Sequence, residues 1–271
     1  DGAATGAALP DGFFNFFTTP QDIISGLGWG LGYFGMPHII IRFMSLKSEK
    51  ELRKSSVIGI SWTTIILIMS ALTAVAGRLY LGEIDDPSTV FITMVRRIFP
   101  ALVSGLLLSA ILSAAMSTAD SQLLAASSAF ASDVYKPVIR KKASDSEMLW
   151  AGRIVVIVIA VVALMIASDP NSGSIMGLVE NAWGVFGAAF GPVILLSLFW
   201  KRLTFGGTVA GIAAGAAVDI LWLVFLSSTD IYEIVPGFAA GLLAAVVVSL
   251  LSKGPGKDVE DLFDRAVDLK S

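Results

Sequence analysis

The chain of 271 residues is 55% hydrophobic and 15% charged, against about 25% charged in ordinary globular domains, and its mean hydropathy is +0.78. Such a composition argues against a soluble enzyme or a disordered segment. The absence of cysteine excludes a disulfide scaffold or thiolate metal site, and the single histidine, His38, leaves little room for a histidine-built zinc centre or a Ser-His-Asp triad. A net charge of −3 gives no footprint for nucleic acid, so the sequence reads as an integral membrane protein set in a lipid bilayer, at about 20 apolar residues per crossing.

Residues 1–22 form an N-terminal segment without the positive n-region of a secretory signal. Phe13, Phe14, Phe16 and Phe17 lie in it, either as an interfacial patch or as packing against the bundle. Seven apolar segments follow in a transmembrane domain over 23–252, at 23–44, 57–81, 101–130, 151–168, 175–200, 206–227 and 234–252. Their lengths suit tilted helices, and none alternates like a membrane β-strand. The polar stretch 253–271 reads as a short tail, and the chain shows no strong internal repeat.

The first apolar segment carries Gly26, Gly28, Gly30, Gly32, Gly35 and Pro37 within a few turns, a poor composition for a continuous helix. Small residues also allow close helix packing, but this density with a proline favours a broken helix. Unwound backbone is tolerated in a bilayer only where protein buries it or it lines a cavity, as at transporter substrate sites. Trp29 and Tyr33, four apart, share a face if local helix persists; they either wall a small apolar substrate or anchor the chain at the interface. His38 reads as a structural hydrogen-bonding group rather than a metal ligand.

The third segment places six polar side chains mid-span within Ser113–Gln122. Ala114, Ser117, Thr118 and Ser121 recur at i, i+3, i+4 and i+7 and therefore share one helical face. Hydroxyl and carbonyl oxygens on such a face suit an alkali cation whose remaining ligands come from another helix. The competing reading is helix–helix glue through bonds to i−4 carbonyls or across an interface. An intramembrane carboxylate, Asp120, favours function, either drawing a cation along a pathway with Ser121 or pairing with a further group. In the fifth segment the small residues at 184, 187, 188 and 191 make one smooth face for packing or a hinge, packing being the favoured role. Glu180 and Asn181 start that segment, as a solvated helix end or part of an outer gate.

Charge orients the segments. Arg42, Lys47, Lys50, Arg53, Lys54, Lys136, Arg140, Lys141, Lys142, Arg153, Lys201, Arg202, Lys253, Lys257, Arg265 and Lys270 fall on one side of a seven-span alternation; only Arg78, Arg96 and Arg97 fall on the other. The positive-inside rule then puts the N-terminus outside and the C-terminus in the cytoplasm. A seven-span chain that starts outside without a signal is expected to lack an N-terminal part.

The motifs GWGLGYFGMPHI (28–39) with RFM (42–44), and ILSAAMSTADSQLL (111–124), resemble the sodium:solute symporter family, most nearly its bacterial sodium/proline symporters. GAAFGPVILLSLFWKR (187–202) and YEIVPGF (232–238) carry the same likeness, which covers nearly all of the chain beyond residue 21. The resemblance implies an all-α fold of about seven transmembrane helices, the second inverted repeat plus peripheral helices of a LeuT-like transporter, with the N-terminal half absent. It further implies sodium held by the Ala114 carbonyl and the Ser117 and Thr118 hydroxyls, and proline bound near Trp29, Tyr33 and Pro37. Met36 stands where the proline symporters carry glutamine. The implied activity is sodium-driven uptake of L-proline across a bacterial cytoplasmic membrane. The alternatives are a symporter for another small solute such as pantothenate or a sugar, and an inactive or partner-requiring half transporter. A channel would need a charged ring or filter repeat, and an enzyme a nucleophile–base pair; the sequence offers neither.

Overall fold

The computed structural model describes residues 9, 12–15, 19–169 and 172–268. Phe16 and Phe17 lie outside the described residues, while Phe13 and Phe14 are exposed and meet edge to face at 5.3 Å. The described residues are helical and contain no strand. The helices are α1 (Pro20–Trp29), α2 (Pro37–Met44), α3 (Glu49–Leu81), α4 (Val90–Ile98), α5 (Ala101–Ala129), α6 (Asp145–Ser168), α7 (Ile175–Phe199), α8 (Phe205–Phe225), α9 (Ile234–Leu251) and α10 (Lys257–Asp268).

Among the described residues, six helical stretches are long and apolar enough to cross a membrane: 50–81, 101–139, 145–168, 175–199, 205–225 and 234–251. The first expected span, 23–44, is not one helix. A 3-10 turn over Gly30–Phe34 separates α1 from α2, and Pro37 opens α2 where its missing N–H costs nothing. The third span runs beyond its expected end at 130. From Phe130 to Ile139 the helix widens to i+5 bonding, shown by Arg140 N–H donating to Tyr135 O at 2.8 Å, and this wider turn carries Pro137. The expected tail contains α10, folded as a helix.

Local sequence sets the boundaries. Thr19 and Asp22 form a capping box before α1. Ser174 Oγ accepts from Gly177 N–H at 3.0 Å, and Thr204 Oγ1 accepts from Gly207 N–H at 3.1 Å, each meeting an orphan donor of a first turn. Gly82 ends α3 at φ 74°, a conformation that β-carbon-bearing residues rarely adopt.

The chain divides into two compact units. One is built on Ser45–Leu164. Within it α4 docks through Val95, and Ser104 Oγ bonds the Val95 and Phe99 carbonyls, both at 3.0 Å. Tyr135 Oη and Arg140 Nε both reach Glu147 Oε1 at 2.9 Å. The other unit is built on the described parts of Phe16–Met44 and Met165–Ser271. Its core is the packing of α7, α8 and α9, with the broken segment laid against α7 and α9.

In that second unit, small residues let backbones touch. A β-carbon on Gly215 of α8 would sit 2.1 Å from the Ala188 carbonyl oxygen of α7, and one on Gly237 of α9 would sit 2.8 Å from the Ala188 Cβ. The α7 face of Gly184, Gly187, Ala188 and Gly191 is buried, so its role here is packing.

Candidate functional site

The break between α1 and α2 lies in the second unit. Its backbone is unusually close to its neighbours: a β-carbon on Gly32 would fall 1.8 Å from Trp183 Nε1. The same indole N–H donates to the Trp29 carbonyl at 2.9 Å, meeting a backbone acceptor where the α-helix ends. Burial of irregular backbone thus comes with a partner for its polar group, as a bilayer demands.

Aromatic rings gather at this point. Trp29 stacks on Trp183 at 5.9 Å between centroids, with 14° between the planes, and on Tyr232 at 5.6 Å and 27°. Tyr33 meets Trp183 edge-on at 4.8 Å and 83°. Trp29 and Tyr33 therefore face one ring, although Tyr33 sits on the 3-10 turn rather than on α1. Tyr33 stays half exposed, leaving an apolar and hydrogen-bonding face open beside the break. Pro37 is exposed at the start of α2, one turn beyond Tyr33.

Hydrogen bonds lock the cluster. Ser25 Oγ accepts from the Tyr232 N–H at 3.0 Å and donates to the Asp230 carbonyl at 3.3 Å. Tyr232 Oη donates to the Glu180 carbonyl at 2.7 Å. Burial, reinforced by the Glu233 carboxylate, pushes the Tyr232 hydroxyl above its ordinary range, so it stays a donor.

The polar face of α5 belongs to the first unit. Residues 111–120 are all exposed there. Thr118 Oγ1 donates to the Ala114 carbonyl at 3.2 Å and Ser121 Oγ to the Thr118 carbonyl at 2.8 Å. A hydroxyl that donates to a carbonyl keeps its oxygen lone pairs available, so these bonds leave the oxygens able to face a cation. Ser117, Asp120 and Ser121 line one open groove along this helix with Ser113, Met116 and Leu124. One helix supplies all of these groups, too few for a closed shell around a hard cation.

The profile of the sodium:solute symporter family matches residues 5–215. The chain belongs to that family. Over 97% of its length it is 45% identical to a high-affinity proline transporter of Bacillus subtilis, covering 56% of that protein. It is also 45% identical to an osmoregulated proline transporter of Bacillus subtilis over 89% of this chain and 50% of the relative. Identity to a sodium/proline symporter of Haemophilus influenzae is again 45%, over 96% and 54%. The chain spans about half the length of these relatives.

This member of the sodium:solute symporter family is a multi-pass membrane protein of helical spans. Sequence reasoning named Trp29 and Tyr33 but gave no role to Trp183 or Tyr232, the rings they touch. Trp183 begins the buried small-residue face of α7, and Tyr232 lies two residues before α9. An aromatic beside such a face was the available signal.

Proposed function

We propose that this chain works as the C-terminal half of a sodium/proline symporter, coupling inward sodium flow to L-proline uptake by alternating access. The observation that carries the reading is 45% identity, across nearly the whole chain, to proteins named as proline transporters and a sodium/proline symporter. The aromatic cluster at the break supports it, because a small, partly apolar solute needs a ring to lie on and polar backbone near its charged ends.

In this proposal Trp29, Tyr33 and Pro37 bind the substrate, the two rings walling it. The Ala114 carbonyl with the Ser117 and Thr118 hydroxyls takes part of the sodium shell, and Asp120 and Ser121 draw the ion along the α5 face. The remaining ligands come from an N-terminal half with its own broken helix, in a LeuT-like arrangement of inverted repeats. Residues 1–22 lie outside, 23–252 cross the bacterial cytoplasmic membrane, and 253–271 face the cytoplasm.

Sodium binding favours the outward-open, substrate-competent state, and proline favours sodium retention by the same factor, a coupling of about 1–3 kcal/mol. Rocking of one bundle against the other then alternates access.

The alternative is the same coupling with another small solute. Competition settles the choice. Labelled-proline uptake by the complete transporter is measured against excess proline, pantothenate and galactose. Displacement by proline alone supports the proposal. Uptake of pantothenate or galactose with no proline uptake overturns the substrate assignment.

A further inference from the structure

Two regular stripes meet on the second unit. On α8 the residues at four-residue spacing are Gly207, Gly211, Gly215 and Asp219, and on α9 with its preceding residue they are Glu233, Gly237, Gly241, Ala245 and Ser249. The helices run antiparallel along these stripes: Gly207 meets Ser249, Gly211 meets Ala245 and Gly241, and Gly237 meets Gly215 and Asp219. The pattern therefore brings two acids together at one end. A β-carbon placed on Gly184 of α7 would lie 3.1 Å from Asp219 Oδ1 and 3.3 Å from Glu233 Oε1, so the glycine leaves the space between the two carboxyls.

Asp219 is completely buried, and neither of its carboxyl oxygens has a hydrogen-bond partner; Glu233 is also buried, and its Oε1 is likewise unpartnered. Ser249, at the other end of the stripes, takes the Thr204 N–H at 3.1 Å, so packing alone does not account for orphaned oxygens at the acidic end. Glu233 also lines a cavity of about 550 Å³, whose wall includes Trp222 and Tyr232. The titratable groups lining this cavity with Glu233 are Asp22 from α1, Glu180 from α7, and Asp230 and Tyr232 from the link before α9; no lysine, arginine or histidine is among its described lining residues.

Two like charges enclosed this closely cannot both be held without compensation. A hard cation takes a shell of about six or more oxygens, and three free side-chain oxygens among helix-bonded carbonyls do not supply it. A proton needs one oxygen to hold it and one to accept from it. We propose that Asp219 and Glu233 form a proton-binding site, one proton shared between the two carboxyls and exchanged through the acidic cavity.

The step is proton transfer alone. A hydronium ion in the cavity gives its proton to a carboxylate oxygen, an O–H bond forms and water leaves; release is the reverse. With the proton bound, the meeting point of α7, α8 and α9 is relieved of one negative charge. Without it, two carboxylates repel across Gly184 and loosen the packing of α7 against α8 and α9 at this end of the stripes.

The site is independent of the transport reading: a chain that moves no proline still titrates it. The test is infrared difference spectroscopy on this chain in lipid while pH is raised. The wild type is expected to lose a carbonyl band of a protonated carboxylic acid, shifted in heavy water. Asp219→Asn removes the band, and Glu233→Gln, which keeps the shape of the site, shifts it. A melting temperature that falls with rising pH in the wild type is expected to become flat in Asp219→Asn. A wild type without the band at any pH, a band untouched by both substitutions, or a band abolished by sodium at constant acid pH overturns the proposal.

Discussion

The two units of this protein are equally apolar in their spans yet pack differently. None of the most apolar stretch of α3 is buried and hardly any of α5 or α6, whereas nearly half of that of α7 and a third of that of α9 are. Hydropathy does not separate the two groups; spacing of small residues does. Leu, Ile and Met cover the exposed faces of α3 and α6, while Gly or Ala recurs every fourth residue on α8 and α9. In lipid, where apolar burial drives little helix association, close backbone contact must supply the attraction. The second unit has that contact within itself; the long helices of the first leave their faces to lipid or to partner helices.

The sharpest way to break this comparison is to add the same bulk to both units. Gly215→Leu puts a side chain where a Cβ already lies 2.1 Å from a backbone oxygen. The expected loss is about 1–3 kcal/mol or more, because backbone cannot swing aside. It is seen as a lowered melting temperature and poor recovery of folded protein. Gly59→Leu on α3, where nothing lies within 4 Å, is expected to leave stability unchanged or raise it by up to ~1 kcal/mol through helix propensity. Equal losses in both variants would erase the distinction.

Two functional variants sharpen it. Trp29→Ala removes stacking on both Trp183 and Tyr232, about 0.5–1.5 kcal/mol for each ring pair beyond area burial. Proline affinity is expected to fall about tenfold or more, with sodium half-saturation changed far less; equal losses of both would indicate misfolding rather than a lost binding wall. Thr118→Ala on α5 is expected to act the other way. It should raise the sodium concentration for half-maximal uptake several-fold, since a hydrogen-bonding group toward a charge contributes about 1.5–3 kcal/mol at most. Unaltered sodium dependence would remove Thr118 from the ion site.

The smallest effect is expected at Lys201, whose ammonium is held above the ordinary lysine range chiefly by its hydrogen bond to Asp264, at 2.6 Å. A raised lysine stabilises the fold below its unfolded range and loses that contribution as pH climbs through the folded one. Both partners are substantially exposed, so Asp264→Asn should scarcely change the melting temperature near neutral pH. A large drop would mean that α10 docks far more firmly than its contacts suggest.

Much of this was legible in the residues. The run of glycines before Pro37 announced the break, and the apolar lengths located α7, α8 and α9 to within a residue or two at each end. The continuation of α5 to Ile139 was not legible, because Pro137 normally marks a helix end and only a widened turn accommodates it. The partners of Trp29 escaped for a different reason: Trp183 lies 154 residues away, and its register against the break depends on which glycine faces which. Asp219 and Glu233 were readable in principle, since each extends a four-residue stripe of small residues. Hydropathy alone does not point to them, because one charge in a long apolar span and one at a helix start change its mean little.

The proposed function makes this chain half of a transporter that drives proline uptake with a sodium gradient. It is tested most directly by labelled-proline uptake into proteoliposomes holding the complete transporter, with sodium gradient and membrane potential set separately. Accumulation that requires inward sodium and collapses when the gradient is removed is the predicted result. Proline entering equally well without sodium, or not entering under any gradient, would contradict it.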